Sequence, residues 1–228
     1  MSYLSMQADF MSILNRDDCT TTLANTFLTQ AMTQIERECR LPCMERIIQF
    51  TAPATTPMNS VSIPSDFLEP IDMYVQSQSG HHYCPPAFNS SDTWFPLKHS
   101  SYRQALLVNQ RDVPKVYSRY TGQFYFSGAI PPKVMVQLVY YGQFTPIVDQ
   151  TQDNEATASI PDLIIYKALG SYAGDYFQHE SGPQWEARYQ QLLQSAQLLA
   201  QDADWKGGPM QIAPAHGGGS DGGWDWGY

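Results

Sequence analysis

The spacing of apolar residues changes twice along the chain, and the changes divide it into three stretches. Up to about residue 45 the spacing is helical. Residues 4–14 predict a short helix with Leu4, Phe10, Ile13 and Leu14 turned partly inward. The polar knot Asn15-Arg16-Asp17-Asp18 interrupts it, and Asp17 or Asp18 is placed to cap a second helix by accepting bonds from its free N–H groups. That helix should cover about 20–40. Leu23, Phe27, Leu28, Ala31, Met32 and Ile35 line one face, and Pro42 stops it.

From Arg46 the pattern turns to short β-type runs. Ile47-Ile48-Gln49-Phe50, Val61-Ser62-Ile63 and the run from Ile71 to Gln76 predict short strands. Residues 79–114 read as a loop-rich excursion with one or two short strands, since they hold Gly80, Pro85, Pro86 and many Ser and Asn. The clearest strands are 115–120, 123–126 and 133–141, which are β-branched and aromatic. Thr121-Gly122 predicts a two-residue hairpin turn between the first two, and Gly128 to Pro132 a longer link to the third.

Helical spacing returns at 160. Pro161 suits a first turn, Asp162 suits its positive end, and Leu163, Ile164, Ala168, Leu169, Tyr172 and Tyr176 define a helix to about 178. After Ser181-Gly182-Pro183 a last helix, about 183–203, presents Trp185, Tyr189, Leu192, Ala196 and Leu199, and the two should form an antiparallel hairpin. Eight of residues 207–228 are Gly, yet the chain ends Trp224-Asp225-Trp226-Gly227-Tyr228. An extended strand would put all three rings on one side, where a flexible tail could dock them on a partner. The expected fold class is therefore α+β. A helical-bundle core of about three to four helices, residues 1–45 and 146–206, carries a mostly antiparallel β insertion, 46–145, and a flexible C-terminal tail, 207–228.

Composition narrows the function. The 228 residues are 43 % hydrophobic and 13 % aromatic, enough for a core, but only 15 % charged, against roughly 25 % in soluble domains. Such a surface suits packing against copies of itself or other partners. The net charge of −9 argues against gripping nucleic acid through a basic patch, though not against an acidic wall along which a duplex slides. No apolar run approaches the ~18 residues of a membrane helix. The N-terminus lacks the basic start and long apolar run of a signal peptide, so the chain is expected to be cytosolic at synthesis, with Cys19, Cys39, Cys43 and Cys84 as free thiols.

Candidate chemistry is sparse. Cys39 and Cys43, with His81, His82 and Cys84, have neither the usual zinc spacing nor a second tidy pair, so no metal site is expected. His81-His82-Tyr83-Cys84 reads as a turn or loop rather than a nucleophile with its base, because adjacent residues in an extended segment face opposite ways. Ser171 follows Gly170 inside a helical pattern, so there is no nucleophile elbow, and no phosphate-binding or zinc-protease motif is present. Asp149, Asp153, Glu155 and Asp162 read as a solvated linker with a helix cap. Arg37, Glu38 and Arg40, with Glu36 and Glu45, read as helix-face ion pairs. Neither a catalytic set nor a cofactor site is expected. A tail-associated glycan hydrolase would need a recognisable carboxylate pair, which no segment supplies.

Taken in order, several segments resemble the head-to-tail connector (adaptor) proteins of tailed bacteriophages. They are Leu14-Asn15-Arg16-Asp17-Asp18; Ile35-Glu36-Arg37-Glu38-Cys39-Arg40-Leu41-Pro42, followed by Met44-Glu45; Ile63-Pro64-Ser65-Asp66-Phe67-Leu68-Glu69-Pro70-Ile71 with Tyr74; Val139-Tyr140-Tyr141; Pro161-Asp162-Leu163-Ile164-Ile165-Tyr166-Lys167-Ala168-Leu169; and Trp185 with Tyr189. Cys19 stands where the family usually has a hydrophobic residue after the double acid. The resemblance spans about residues 10–200. It implies a structural virion protein at the head–tail junction, assembled in the host cytoplasm as a homo-oligomeric ring, typically of twelve copies, beneath the portal protein. Such a ring extends the DNA channel without reading sequence, holds a downstream tail or nozzle protein, and helps retain the genome until ejection. It also implies a C-terminal segment reaching the portal, here with Trp224, Trp226 and Tyr228 as candidate portal-binding anchors. Another tail structural protein, such as a tail terminator or tube-associated protein, is the alternative.

Overall fold

The computed structural model describes residues 1–76, 94–107, 114–147, 149 and 152–205. Helix α1, Tyr3–Leu14, is capped by Ser2, whose hydroxyl accepts from Ser5 N–H, and ends where Asn15 turns left-handed. It buries Tyr3, Met6, Phe10 and Leu14, while Leu4 and Ile13 face outward. Helix α2, Thr21–Glu38, buries the expected Phe27, Leu28, Ala31, Met32 and Ile35. Its cap is Thr20, which accepts from Leu23 N–H at 3.3 Å, rather than Asp17 or Asp18. Asp18 instead pairs with Arg16 at 2.7 Å. The helix ends at Glu38, before Pro42, which opens a short 3₁₀ turn, Pro42–Met44.

Eight strands follow: β1 Glu45–Thr51, β2 Met58–Ser62, β3 Phe67–Gln76, β4 Trp94–Pro96, β5 Lys98–His99, β6 Val116–Tyr120, β7 Gln123–Ile130 and β8 Met135–Gly142. They form two four-stranded sheets, ordered β1-β8-β3-β4 and β2-β7-β6-β5, antiparallel except where β5 joins β6. Thr121 and Gly122 turn the β6–β7 hairpin with φ of 44° and 76°, the positive pair a tight hairpin requires. A short helix, α3 Tyr102–Leu107, lies in the stretch read as loop and strand. Alternate residues of both sheets, among them Val61, Met73, Val75, Tyr117, Phe124, Ile130, Val136 and Leu138, form one apolar cluster.

Beyond β8 the acidic stretch is not a solvated linker. It contains α4, Glu155–Ser159, opened by a reciprocal box in which Asn154 and Thr157 bond each other's backbone. The expected helix to about 178 is broken into α5, Pro161–Lys167, a π-helical segment, Ala168–Ala173, and α6, Gly174–Phe177. Helix α7, Gly182–Trp205, runs back against them. Tyr176 and Leu199, expected on inner faces, are 64 % and 70 % exposed. The 24 residues of α7 span about 36 Å, longer than the segment they pack on, so its far end projects.

The fold is mixed α+β, but the expected helical-bundle core does not hold. The helices are mostly short or interrupted, and their cluster also takes Leu41, Met44 and Phe144, with Leu68 and Tyr141 of the strands packed against it. The sheets bury a cluster of their own, so the β part is a second core rather than an appendage on a bundle. The tail expected to be flexible lies outside the described residues.

Arg46 bonds the two parts together. Its guanidinium lies 3.2 Å from Asp66, donates to Glu155 of α4 at 3.0 Å, and donates to the Gln143 carbonyl at 3.1 Å. A Cβ at Gly142 would come within 2.7 Å of its Nε, so glycine makes room for it. Asp66 accepts the Tyr140 hydroxyl at 3.0 Å, and burial with that bond pushes Tyr140 up to about 12. Burial raises the Glu155 carboxyl, but bonds from Arg46 and Thr145 outweigh it and hold it down to about 2, against an ordinary 4.5. A depressed carboxyl stabilises the fold above its unfolded pKa and loses that contribution as pH falls toward the folded value. Acid titration of unfolding should therefore show wild type losing stability between pH 4.5 and about 2 more steeply than Glu155→Gln. In the sheet core, Phe124→Ala should lower the unfolding free energy by about 3–5 kcal/mol in urea melts, because Phe124 is fully buried.

Candidate functional site

One buried charge pins three helices. Lys167, at the end of α5, is 4 % exposed. Its Nζ lies 3.4 Å from Glu38 Oε2 at the end of α2, and 4.4 Å from the ring centroid of Tyr189 on α7. Tyr189 donates its hydroxyl to the same Glu38 oxygen at 3.0 Å. Burial works to raise the Glu38 carboxyl, but bonds from Gln34, Tyr189 and Lys167 outweigh it and leave it below its ordinary value. Burial, then the bond to Glu38, pushes the Tyr189 phenol up. With Glu38 bonded from several sides, the ion pair meets its desolvation cost; removing either partner would strand a charge. The helix-face pairing read for this segment is corrected accordingly. Glu36 accepts from Phe144 N–H at 2.7 Å, Arg40 pairs with Glu69 of β3 at 3.0 Å, and Glu38 serves Lys167.

A cleft runs where the π segment and α6 meet α7, walled by Gly170, Gly174 and Gly182 and bearing Ser171, Asp175, His179 and Glu186. The helices approach closely: a Cβ at Gly170 would lie 2.8 Å from the Glu186 backbone nitrogen, and one at Gly174 3.1 Å from the Gly182 Cα. Ser171 donates to Glu186 at 2.9 Å. His179 Nδ1 accepts from Ser181 N–H at 3.1 Å, and its ring lies over Trp185 with centroids 4.6 Å apart. Ser171 is thus bonded to a carboxylate and His179 to backbone. Their printed bonds brace the cleft and are not those of a nucleophile with its base.

Cys39 and Cys43 flank the 3₁₀ turn as free thiols, as does Cys19 before α2, while His81, His82 and Cys84 lie outside the described residues. Among the described residues no group of three or more His, Cys, Asp or Glu could hold a metal ion. No described helix is long and apolar enough to cross a membrane. Trp224, Trp226 and Tyr228 also lie outside the described residues.

What the surface offers is apolar side chains without cover in the monomer. Leu198 and Leu199 project from the far end of α7, 62 % and 70 % exposed, and Ile47 stands 66 % exposed on β1. The Arg46 and Lys167 contacts escaped sequence reading. For Lys167 a signal existed, a lone cation inside the apolar run Ile164-Ile165-Tyr166-Lys167-Ala168. For Arg46 the partners are too distant in sequence to leave one.

Comparison with known proteins supplies the context for these surfaces. A family model described as SU10 adaptor protein matches residues 1–213. No curated protein matches the chain. The match covers both apolar clusters and all of α7, and by it the chain belongs to the SU10 adaptor protein family, a family of phage head-to-tail adaptors.

Proposed function

We propose that the chain is a structural virion protein that assembles, in about twelve copies, as a ring beneath the portal at the head–tail junction. In this reading the ring is built in the host cytoplasm, extends the DNA channel without sequence-specific contacts, attaches a tail or nozzle protein and helps retain the genome until ejection. Residues 1–45 and 146–206 form the body of the ring and 46–145 its tail-facing unit. Residues 207–228 reach the portal, with Trp224, Trp226 and Tyr228 as the anchors. The role is architectural and needs no cofactor.

The observation that carries the reading is the family match across residues 1–213. The geometry supports it in one further way. Helix α7 ends in exposed leucines and the chain continues from it directly into the Gly- and Trp-rich segment, so an apolar contact and a tethered aromatic one lie in series.

Purified protein mixed with portal rings should decorate them as collars in negative-stain images; rings that stay bare at high protein concentration would overturn the reading. Deleting 207–228 should abolish decoration, whereas undiminished decoration would remove the tail from the contact and favour a tail terminator. Leu198→Glu with Leu199→Glu should shift unfolding by no more than about 0.5 kcal/mol, since both side chains are exposed, while weakening decoration about tenfold.

A further inference from the structure

Charge is divided within this chain more sharply than its net value of −9 suggests. Residues 94–147 carry Lys98, Arg103, Arg111, Lys115, Arg119 and Lys133 against one acid, Asp112. The helical segments 1–44 and 152–205 carry thirteen acids and five cations. Three of those five cations, Arg16, Arg40 and Lys167, are already paired. Among the described residues, no ion pair uses Lys98, Arg103, Lys115, Arg119 or Lys133.

The fold gathers the basic residues around tyrosines. Helix α3 packs on β6 and β7. Its Tyr102 stacks on Tyr120 with centroids 4.5 Å apart and 13° between planes, and meets Tyr125 edge-on at 5.3 Å. Arg103 follows on the same helix, and Lys98 lies on β5 beside β6; both are exposed. Tyr120 is 50 % exposed. Because Tyr102 and Tyr120 cover each other, they offer edges and hydroxyls rather than open faces. That suits a protein surface, where Tyr and Arg are favoured, better than stacked bases. In the helical part, the turn joining α6 to α7 exposes Asp175 and Glu180 around Tyr176, with Glu186 in the adjoining cleft.

We infer that the basic, tyrosine-bearing face of one copy docks on the acidic α6–α7 turn of a second copy. Each copy brings both faces in equal number, so the charges match without another partner. The two faces differ, so the contact is heterologous: every docked copy keeps one free face of each kind, and the contact propagates into a closed ring or an open filament. Opposite charge orients the encounter, and the tyrosines supply contact area within it. The inference rests on the ring proposed above and names the surfaces that would join its copies.

The test is sedimentation of the full chain across salt. Wild type should associate at about 0.1 M salt, where the Debye length is about 10 Å, and dissociate toward about 1 M, where it is about 3 Å. Lys98→Glu with Arg103→Glu should weaken association about tenfold or more, and Asp175→Lys with Glu180→Lys should do the same. An equimolar mixture of the two variants pairs the unmodified face of one with that of the other and should form dimers that do not grow. The chain carrying all four substitutions should assemble again, which a merely misfolded variant would not. Wild type that stays monomeric, association indifferent to salt, or single-face variants that assemble like wild type would each overturn the inference. So would a Lys98→Glu and Arg103→Glu variant that assembles normally but loses retention on duplex DNA, which would assign the face to nucleic acid. Portal decoration by wild type alongside any of these results leaves the adaptor reading standing; bare portal rings with charge-dependent self-association would reject that reading alone.

Discussion

The chain leaves its helical part at β1 and returns after β8, and one guanidinium is bonded at both passages. Arg46 opens β1, Gln143 follows β8, Asp66 precedes β3 and Glu155 opens α4. Two apolar clusters that merely shared a surface could slide over each other, because apolar contact has no preferred direction. Charged hydrogen bonds do have one. The position of the sheets relative to the helices is therefore set by bonds at Arg46, and Gly142 is the space in which they fit. An adaptor must hold what lies on one side of it in register with what lies on the other, and a directional joint between two cores suits that task.

The helical part uses the same device further inside. Lys167 and Glu38 meet beneath Tyr189, and the bonds tie α2, α5 and α7 together. Alongside, the glycines of the π segment, α6 and α7 let the backbones approach closely. The rest of α7 depends on neither contact, and its outer end keeps its leucines uncovered.

Where local spacing decides structure, the sequence was legible. The buried face of α2, the hairpin at Thr121-Gly122, the antiparallel strands and the last helix all follow from it. Where tertiary contact decides, it was not. The apolar pattern over 161–178 looks like one helix, yet close packing at Gly170 and Gly174 accompanies a wider turn. Thr20 rather than Asp18 caps α2 because Arg16 engages the carboxylate. Weighing the helices as a bundle and the strands as an insertion overlooked that alternate residues of two sheets bury a cluster of their own. Glu155 passes for a linker acid until its partner, Arg46, is brought beside it by the fold.

The π segment carries a consequence for how this chain can vary in length. Each of its turns is wider than an α-helical turn, so Ala168–Ala173 accommodates more chain over the same rise. Loss of one residue there would restore ordinary winding and rotate everything downstream by about 100°, turning Gly174 away from Gly182 and α6 away from its seat. Exposed loops elsewhere can gain or shed residues without such a rotation, so insertions and deletions across the family should avoid this short stretch.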